Sequence, residues 1–143
     1  MTTADATYAV AGEWQEISRE AAQALTESIR AATARVLDAL GERGALVLVA
    51  GPELRVGRDT ELRYAPDADF FYLTGLVEPE AVLVLGNIIE SGPCALFVRE
   101  RDPERELWTG PVHGPERARE LTGVDSAFPL RELPERLPDM LQG

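Results

Sequence analysis

The sequence has no lysine and only one cysteine, one histidine and one asparagine: Cys94, His113 and Asn87. A single cysteine excludes a disulfide within the chain. One cysteine and one histidine cannot supply the four ligands of a structural zinc site, so any metal would have to be held by carboxylates. No apolar run approaches the roughly 20 residues that span a bilayer. All 14 basic residues are arginines, a bias typical of a GC-rich bacterial genome.

Acidic residues are in excess and give a net charge of −11 over 143 residues. Such a surface repels nucleic acids and anionic membranes, because both bind clustered basic side chains. The first residues contain neither a basic start nor a continuous apolar stretch, which argues against a secretory signal. The composition therefore predicts a cytoplasmic globular domain without nucleic acid or membrane as a partner.

Apolar periodicity predicts one domain that begins with a long helix. Residues 1–12 show no period and are expected to form a disordered tail, so the domain occupies residues 13–143. From Trp14 to Leu40, apolar residues recur at steps of three and four, which predicts a helix packed on a core. A helix that binds a partner is the less common alternative.

Short apolar runs after this helix predict the strands of a sheet. They lie at 45–50, 70–73, 81–85, 94–99 and 124–130. The last run contains Pro129 and should be an edge strand. Alternation in the second should send Phe70 and Tyr72 to one face and Phe71 to the other, with core packing for all three. Short helices are expected at 114–121 and 131–141. We therefore expect an α/β fold, a mixed sheet of about five to six strands covered by helices.

The titratable residues give little support for catalysis by this chain. His113 precedes a predicted helix and is expected to be an exposed turn residue rather than a base. Cys94 lies in an apolar run and is expected to be a buried, inert thiol. Three pairs of acids could share a cation but are expected to serve turns or the solvated surface. These pairs are Asp67 with Asp69, Glu78 with Glu80, and Glu104 with Glu106.

Two blocks of sequence carry more information. Residues 58–85 read RDTELRYAPDADFFYLTGLVEPEAVLVL, and residues 97–114, FVRERDPERELWTGPVHG, follow. Together they resemble the N-terminal domain of the aminopeptidase P (Xaa-Pro aminopeptidase, creatinase-like) family. The positions that match in the first block are Asp59, Glu61, Asp69, Phe70, Tyr72, Thr74, Gly75, Glu78, Pro79, Glu80 and Ala81. Those in the second are Arg99, Arg101, Asp102, Glu106, Trp108 and Gly110.

The resemblance implies a non-catalytic domain of a larger hydrolase. Family members carry this domain ahead of a catalytic domain of the pita-bread fold. That second domain holds two metal ions, usually manganese, through two Asp, one His and two Glu, and removes an N-terminal residue that precedes proline. Residues 1–143 contain no such motif, so no catalytic or metal-binding residue is expected in this chain.

The resemblance also implies that the domain builds the oligomer interface and narrows access to the active site. In the family, the residue at the position of Trp108 enters a neighbouring subunit's site, and the acid at the position of Asp59 lies near the same cleft. An aromatic ring can pack on a prolyl ring, and a carboxylate can receive an ammonium group or orient an arginine. The alternatives are that Trp108 anchors its own loop and that Asp59 caps a turn.

This sequence departs from the family after Trp108, where Pro111 and Val112 replace a common basic pair. Any contact made by those arginines is therefore missing. Two other functions are open to the sequence: a stand-alone module of the same fold that binds short peptides, and an enzyme that acts through a carboxylate-held metal.

Overall fold

A computed structural model describes residues 4–10, 13–51, 66–109 and 112–142. Strands β1 (Ala4–Val10) and β2 (Glu13–Ser18) form a separate antiparallel pair. The elements that follow are α1 (Arg19–Leu40), β3 (Ala45–Val49), α2 (Ala68–Thr74), β4 (Val82–Gly86), β5 (Cys94–Val98), α3 (Pro103–Thr109), α4 (Pro115–Thr122), β6 (Ser126–Pro129) and α5 (Leu133–Leu141). Within these ranges, no helix combines the length and apolar character needed to cross a membrane.

The main sheet has four strands among the described residues, in the order β3-β4-β5-β6. Strand β4 pairs antiparallel with β3 and β5, whereas β6 pairs parallel with β5. The predicted mixed α/β class is confirmed, although the sheet has four strands rather than about five to six. Strand β6 lies at an edge, where Pro129 does not interrupt the ladder.

Strands β4 and β5 are buried on both faces, because alternate side chains enter two different cores. One core lies under α1, α2 and α4, and its sheet residues are Leu83, Leu85, Leu96 and Val98. The other lies under α5, and its sheet residues are Val82, Val84, Ala95 and Phe97. The sheet is therefore the middle of three layers.

The α5 layer does not extend over β3. Val47 and Val49 pair with Val84 and Val82, so all four side chains point to the α5 face. However, Val47 is 40% exposed and Val49 is 52% exposed. Among the described residues, this end of the second apolar face stays uncovered.

The N-terminal region differs from its prediction. Ala4–Val10 lies in the segment 1–12 predicted to be disordered, and it pairs with Glu13–Ser18, so α1 begins at Arg19 rather than Trp14. Both segments are rich in β-branched and aromatic residues, which favour strands. Trp14 and Ile17 also fit the helical spacing, so periodicity did not distinguish the strand from the helix.

Residues 70–73 form a helix, α2, and the predicted strand is wrong. The Asp67 side chain caps the helix by accepting hydrogen bonds from the amides of Asp69 and Phe70, each at 3.1 Å. At the other end, Gly75 adopts a φ of 70°, and its amide donates to the Phe71 carbonyl at 2.7 Å. The two caps outweigh the strand propensity of the aromatic residues between them.

The helical geometry separates the three aromatic residues. Phe70 is fully buried, whereas Phe71 is 47% and Tyr72 is 56% exposed. The expected core packing is therefore correct for Phe70 and wrong for the other two. The Tyr72 hydroxyl accepts a hydrogen bond from Arg35 of α1 at 2.7 Å, which joins the two helices at the surface.

The end of α2 explains the Thr-Gly pair of the first sequence block. The Thr74 hydroxyl donates to the Phe70 carbonyl at 2.8 Å and accepts from the Leu76 amide at 3.1 Å. A Cβ at position 75 would lie 3.1 Å from a methyl group of Leu25 in α1. Glycine therefore serves both the left-handed turn and the close approach of α1.

Most of the remaining boundaries agree with the sequence. Helices α4 and α5 confirm the helices predicted at 114–121 and 131–141. In contrast, residues 103–109 lie outside every predicted helix and strand but form helix α3, and Asp102 caps it. Its side chain accepts from the amides of Glu104 at 3.2 Å and Arg105 at 3.4 Å. An Asp cap followed by Pro103 is a helix-start pattern that was present in the sequence.

Cys94, at the start of β5, is partly buried next to Asp125. Burial is the main cause that raises the pKa of its thiol from 9.0 to about 12, and the negative charge and hydrogen bond of Asp125 act in the same direction. Because the thiolate is the reactive form, this environment favours the predicted inert thiol, although Cys94 is partly rather than fully buried.

We expect Asp67→Ala to lower the free energy of unfolding by about 1 kcal/mol, because two amides of α2 lose their acceptor. Urea unfolding followed by circular dichroism measures this change. Asp67→Asn is the matched control, since asparagine caps helices about as well as aspartate. Equal stability of the alanine variant and the unsubstituted chain would contradict the role of the cap.

We also expect Cys94 to react with an aromatic disulfide reagent about a thousandfold more slowly at about pH 8 when folded than in denaturant, since its thiolate fraction falls as the pKa rises from 9.0 to about 12. Asp125→Asn should lower the folded pKa while leaving it above 9.0, because burial remains. Absorbance of the released thiolate measures the rate. If the Cys94 thiol of the folded chain titrated with a midpoint near 9.0, burial and Asp125 would have no effect on its pKa, which would contradict this prediction.

Candidate functional site

Residues from the two sequence blocks meet beside α3. The turn before β4 contributes Glu78 and Glu80, and the segment that follows β5 contributes Arg99 and Arg101. Helix α3 contributes Glu106, and the segment before α4 contributes His113. We call this set the charged network; its members are Glu78, Glu80, Arg99, Arg101, Glu106 and His113.

The innermost part of the network is the pair formed by Glu78 and His113. Both residues are only 3% exposed. One carboxylate oxygen of Glu78, Oε1, lies 2.8 Å from the backbone amide of His113 and 2.5 Å from its Nδ1. The prediction of an exposed turn histidine is therefore wrong. His113 does precede the helix, but Glu78, from a distant turn, provides the acceptor that allows its burial.

Glu80 forms the outer part of the same turn. Its φ of 66° is the positive value of a non-glycine residue, a conformation that costs about 1 kcal/mol or more. Two contacts hold it there: its amide donates to the Gly51 carbonyl at 2.9 Å, and its carboxylate accepts from Arg99 at 2.8 Å. The turn is thus tied both to the end of β3 and to the end of β5.

Glu106 of α3 connects the helix to its neighbours on both sides. Its Oε1 accepts from the Val112 amide at 3.0 Å and lies 3.0 Å from Nε of Arg101. A Cβ at position 114, where φ is 80°, would lie 2.9 Å from Cγ of Arg101. The glycine therefore lets the Arg101 side chain cross the start of α4 and reach Glu106.

Of the two residues implied at the active site, only the backbone of Trp108 is described. Trp108 lies in the last turn of α3, two positions after Glu106, and its side chain is outside the described part of the chain. Asp59 lies in residues 52–65, which are also outside it. The neighbour of Trp108 in the sequence, Leu107, is 85% exposed.

The contacts of the charged network hold backbone and side-chain groups in fixed positions. Among the described residues, no group of three or more His, Cys, Asp or Glu could hold a metal ion. Two surface depressions, of about 430 and 560 Å³, flank Arg101. Both are lined by acidic and arginine side chains together, so neither presents a single sign of charge to a ligand.

At least one acid of each pair makes its own contact elsewhere in the domain. Asp67 caps α2, Glu78 is buried against His113, Glu80 pairs with Arg99, and Glu106 bonds to Val112. Sequence reasoning assigned Glu78 and Glu106 to turns and surface, and missed their role as acceptors. The available signal was that Glu78 and Glu106 both match the family pattern. A turn or a surface position alone would not require an acid there.

Comparison with known proteins identifies the family. A family model described as the N-terminal domain of aminopeptidase P matches residues 29–143. Xaa-Pro aminopeptidase 3 of Homo sapiens is 39% identical over 110 residues, which are 72% of this chain and 22% of that protein. The Xaa-Pro aminopeptidase of Escherichia coli K12 is 39% identical over 100 residues, which are 69% of this chain and 23% of the enzyme. The chain thus spans about a fifth of the length of these relatives.

Solved structures agree with the sequence comparison. A zinc-substituted E. coli aminopeptidase P in complex with product superposes with a TM-score of 0.75 at 33% identity, over 82% of this chain and 27% of that one. Pseudomonas aeruginosa aminopeptidase PepP gives a TM-score of 0.71 at 38% identity, over 85% of this chain and 27% of that one. This chain belongs to the aminopeptidase P N-terminal domain family.

Proposed function

We propose that this domain is the non-catalytic part of an Xaa-Pro aminopeptidase, where it contributes to oligomer assembly and narrows access to the active site. The observation that carries the proposal is the convergence of both family-like blocks on α3. That helix carries Trp108 in its last turn, and the charged network fixes the chain on either side of it. A fixed helix end is what a residue needs if it is to reach into a neighbouring subunit.

The exposure around Trp108 supports a contact with another molecule. Leu107 keeps 85% of its surface in water, although the preceding residue, Glu106, is anchored to the Val112 amide. An apolar side chain held in this way has no packing role within the described domain, and it gains free energy when a neighbouring subunit covers it. In this proposal, Asp59 lies at the mouth of the same cleft and receives the ammonium group of the peptide or orients an arginine.

Hydrolysis itself is assigned to a catalytic domain of the pita-bread fold outside residues 13–143. The described residues do not fit a metal ion, so the two divalent ions, manganese in this proposal, belong to that second domain. A related structure is a zinc-substituted aminopeptidase P, which supports divalent metal chemistry in the family. The substrate would be a peptide with proline at its second position, and the enzyme a bacterial, cytoplasmic one.

We expect Trp108→Ala, in the full-length protein that carries this domain, to lower kcat/KM for an Xaa-Pro peptide by about tenfold or more, because the substrate loses a positioning contact. The metal content, measured by elemental mass spectrometry, should not change. Glu104→Ala is the matched control, since Glu104 is exposed on the same helix. Unchanged kinetics would reduce Trp108 to a packing residue.

The 143-residue chain by itself should give no binding heat with Xaa-Pro peptides in isothermal calorimetry. The reason is that the proposed cleft is completed by the catalytic domain and by a neighbouring subunit. A saturable heat that disappears when proline is replaced by alanine in the peptide would instead favour a stand-alone peptide-binding module.

A further inference from the structure

One buried and one largely buried carboxylate hold Val112 and His113, and they come from different places in the sequence. Glu106 lies in α3 itself, whereas Glu78 comes from the turn before β4. Glu106 accepts a hydrogen bond from the backbone amide of Val112, and Glu78 accepts one from the next amide, that of His113. Both of those residues are buried, at 8% and 3% exposure.

We propose that Glu106 and Glu78 are positioning residues that clamp Val112 and His113 beside α3, and so set the position from which Trp108 acts. This inference rests on the proposed function for its catalytic consequence, but the clamp itself is a separate property of the domain. Neither carboxylate is placed at the reacting atoms, and both act through the segment that they hold.

The geometry of Glu106 makes one half of the clamp. Its carboxylate spans from α3 to Val112, six positions later in the chain, with an N–O distance of 3.0 Å. Arg101 approaches the same oxygen at 3.0 Å and balances its charge. The side chain of Glu106 is only 11% exposed, so water competes weakly for these contacts.

The geometry of Glu78 makes the other half. Its Oε1 contacts both the backbone amide and the ring Nδ1 of His113. It therefore holds the main chain and the side chain of this residue together. Nδ1 lies 2.5 Å from Oε1, and in the tautomer that carries its proton at Nδ1 the ring donates to the carboxylate. Because Glu78 belongs to the turn before a central strand, the segment is anchored to the most buried part of the sheet.

The desolvation free energy lost by burying these two carboxylates argues for a role in positioning. In both, the second oxygen, Oε2, is buried and has no hydrogen-bond partner in the described part of the chain. An apolar side chain would fill either place at a lower desolvation cost. However, an apolar side chain cannot fix the direction of a backbone amide, whereas an acceptor can.

Hydrogen exchange tests the clamp in the 143-residue chain. We expect Glu106→Ala to raise the exchange rate of the Val112 amide about tenfold or more, because a charge-assisted hydrogen bond is lost. Glu106→Gln keeps an oxygen acceptor and should leave the rate close to that of the unsubstituted chain. Glu104→Ala, on the same helix, should have no effect. If circular dichroism shows that the alanine variant is unfolded, Glu106→Asp, which withdraws the acceptor by one methylene, replaces it with the same expected result.

A double-mutant cycle in the full-length protein tests the link to Trp108. Glu106→Ala should lower kcat/KM, as Trp108→Ala does. It should cause little further loss once Trp108 is already replaced, because both substitutions remove the same contact with the substrate. A purely structural role of Glu106 would instead give additive losses. Additive losses, or unchanged exchange at Val112 in a folded variant, would overturn the clamp proposal.

The same measurements separate this inference from the proposed function. Normal kinetics of Trp108→Ala would overturn the gating function, and the positioning role with it. Impaired kinetics of Trp108→Ala together with unchanged exchange in Glu106→Ala would overturn the positioning role alone. Impaired kinetics, faster exchange and non-additive losses would support both.

Discussion

The central strands β4 and β5 have no face turned to water, and this constraint decides where the helices lie. Each strand sends alternate side chains into two separate cores, so an apolar layer must cover the sheet on both sides. Helices α1, α2 and α4 cover one side and α5 the other. The turn before β4 and the segment after β5 are thereby fixed at neighbouring positions, and the charged network can form between them.

The charged network turns this rigid sheet into a support for α3. Glu80 and Arg99 join the two segments that flank the strands, and Glu78 and Glu106 then hold the chain that follows α3. The described residues of the two family-like blocks therefore act together to hold the chain around α3.

The sequence predicted those parts of the fold that depend on long apolar patterns. The strand at 81–85 and the greater part of the first helix follow from hydrophobicity alone. Helix α2 was missed because the strand propensity of its aromatic residues was given more weight than the cap at Asp67. The burial of His113 could not be inferred at all, since its partner Glu78 lies 35 positions away and comes close only through the fold. The roles of Trp108 and Asp59 came from family resemblance and remain predictions.

The exposure of two valines on β3 affects how copies of the protein associate in solution. Within the described part of the chain, Val47 and Val49 are exposed on β3, an edge strand of the main sheet, and exposed edge strands can pair with other sheets. A net charge of −11 opposes such encounters between copies of the chain. That repulsion extends over only about 10 Å at moderate ionic strength and shortens as salt is added. Acidity thus opposes association through these two valines in dilute salt, and this opposition weakens as the salt concentration rises.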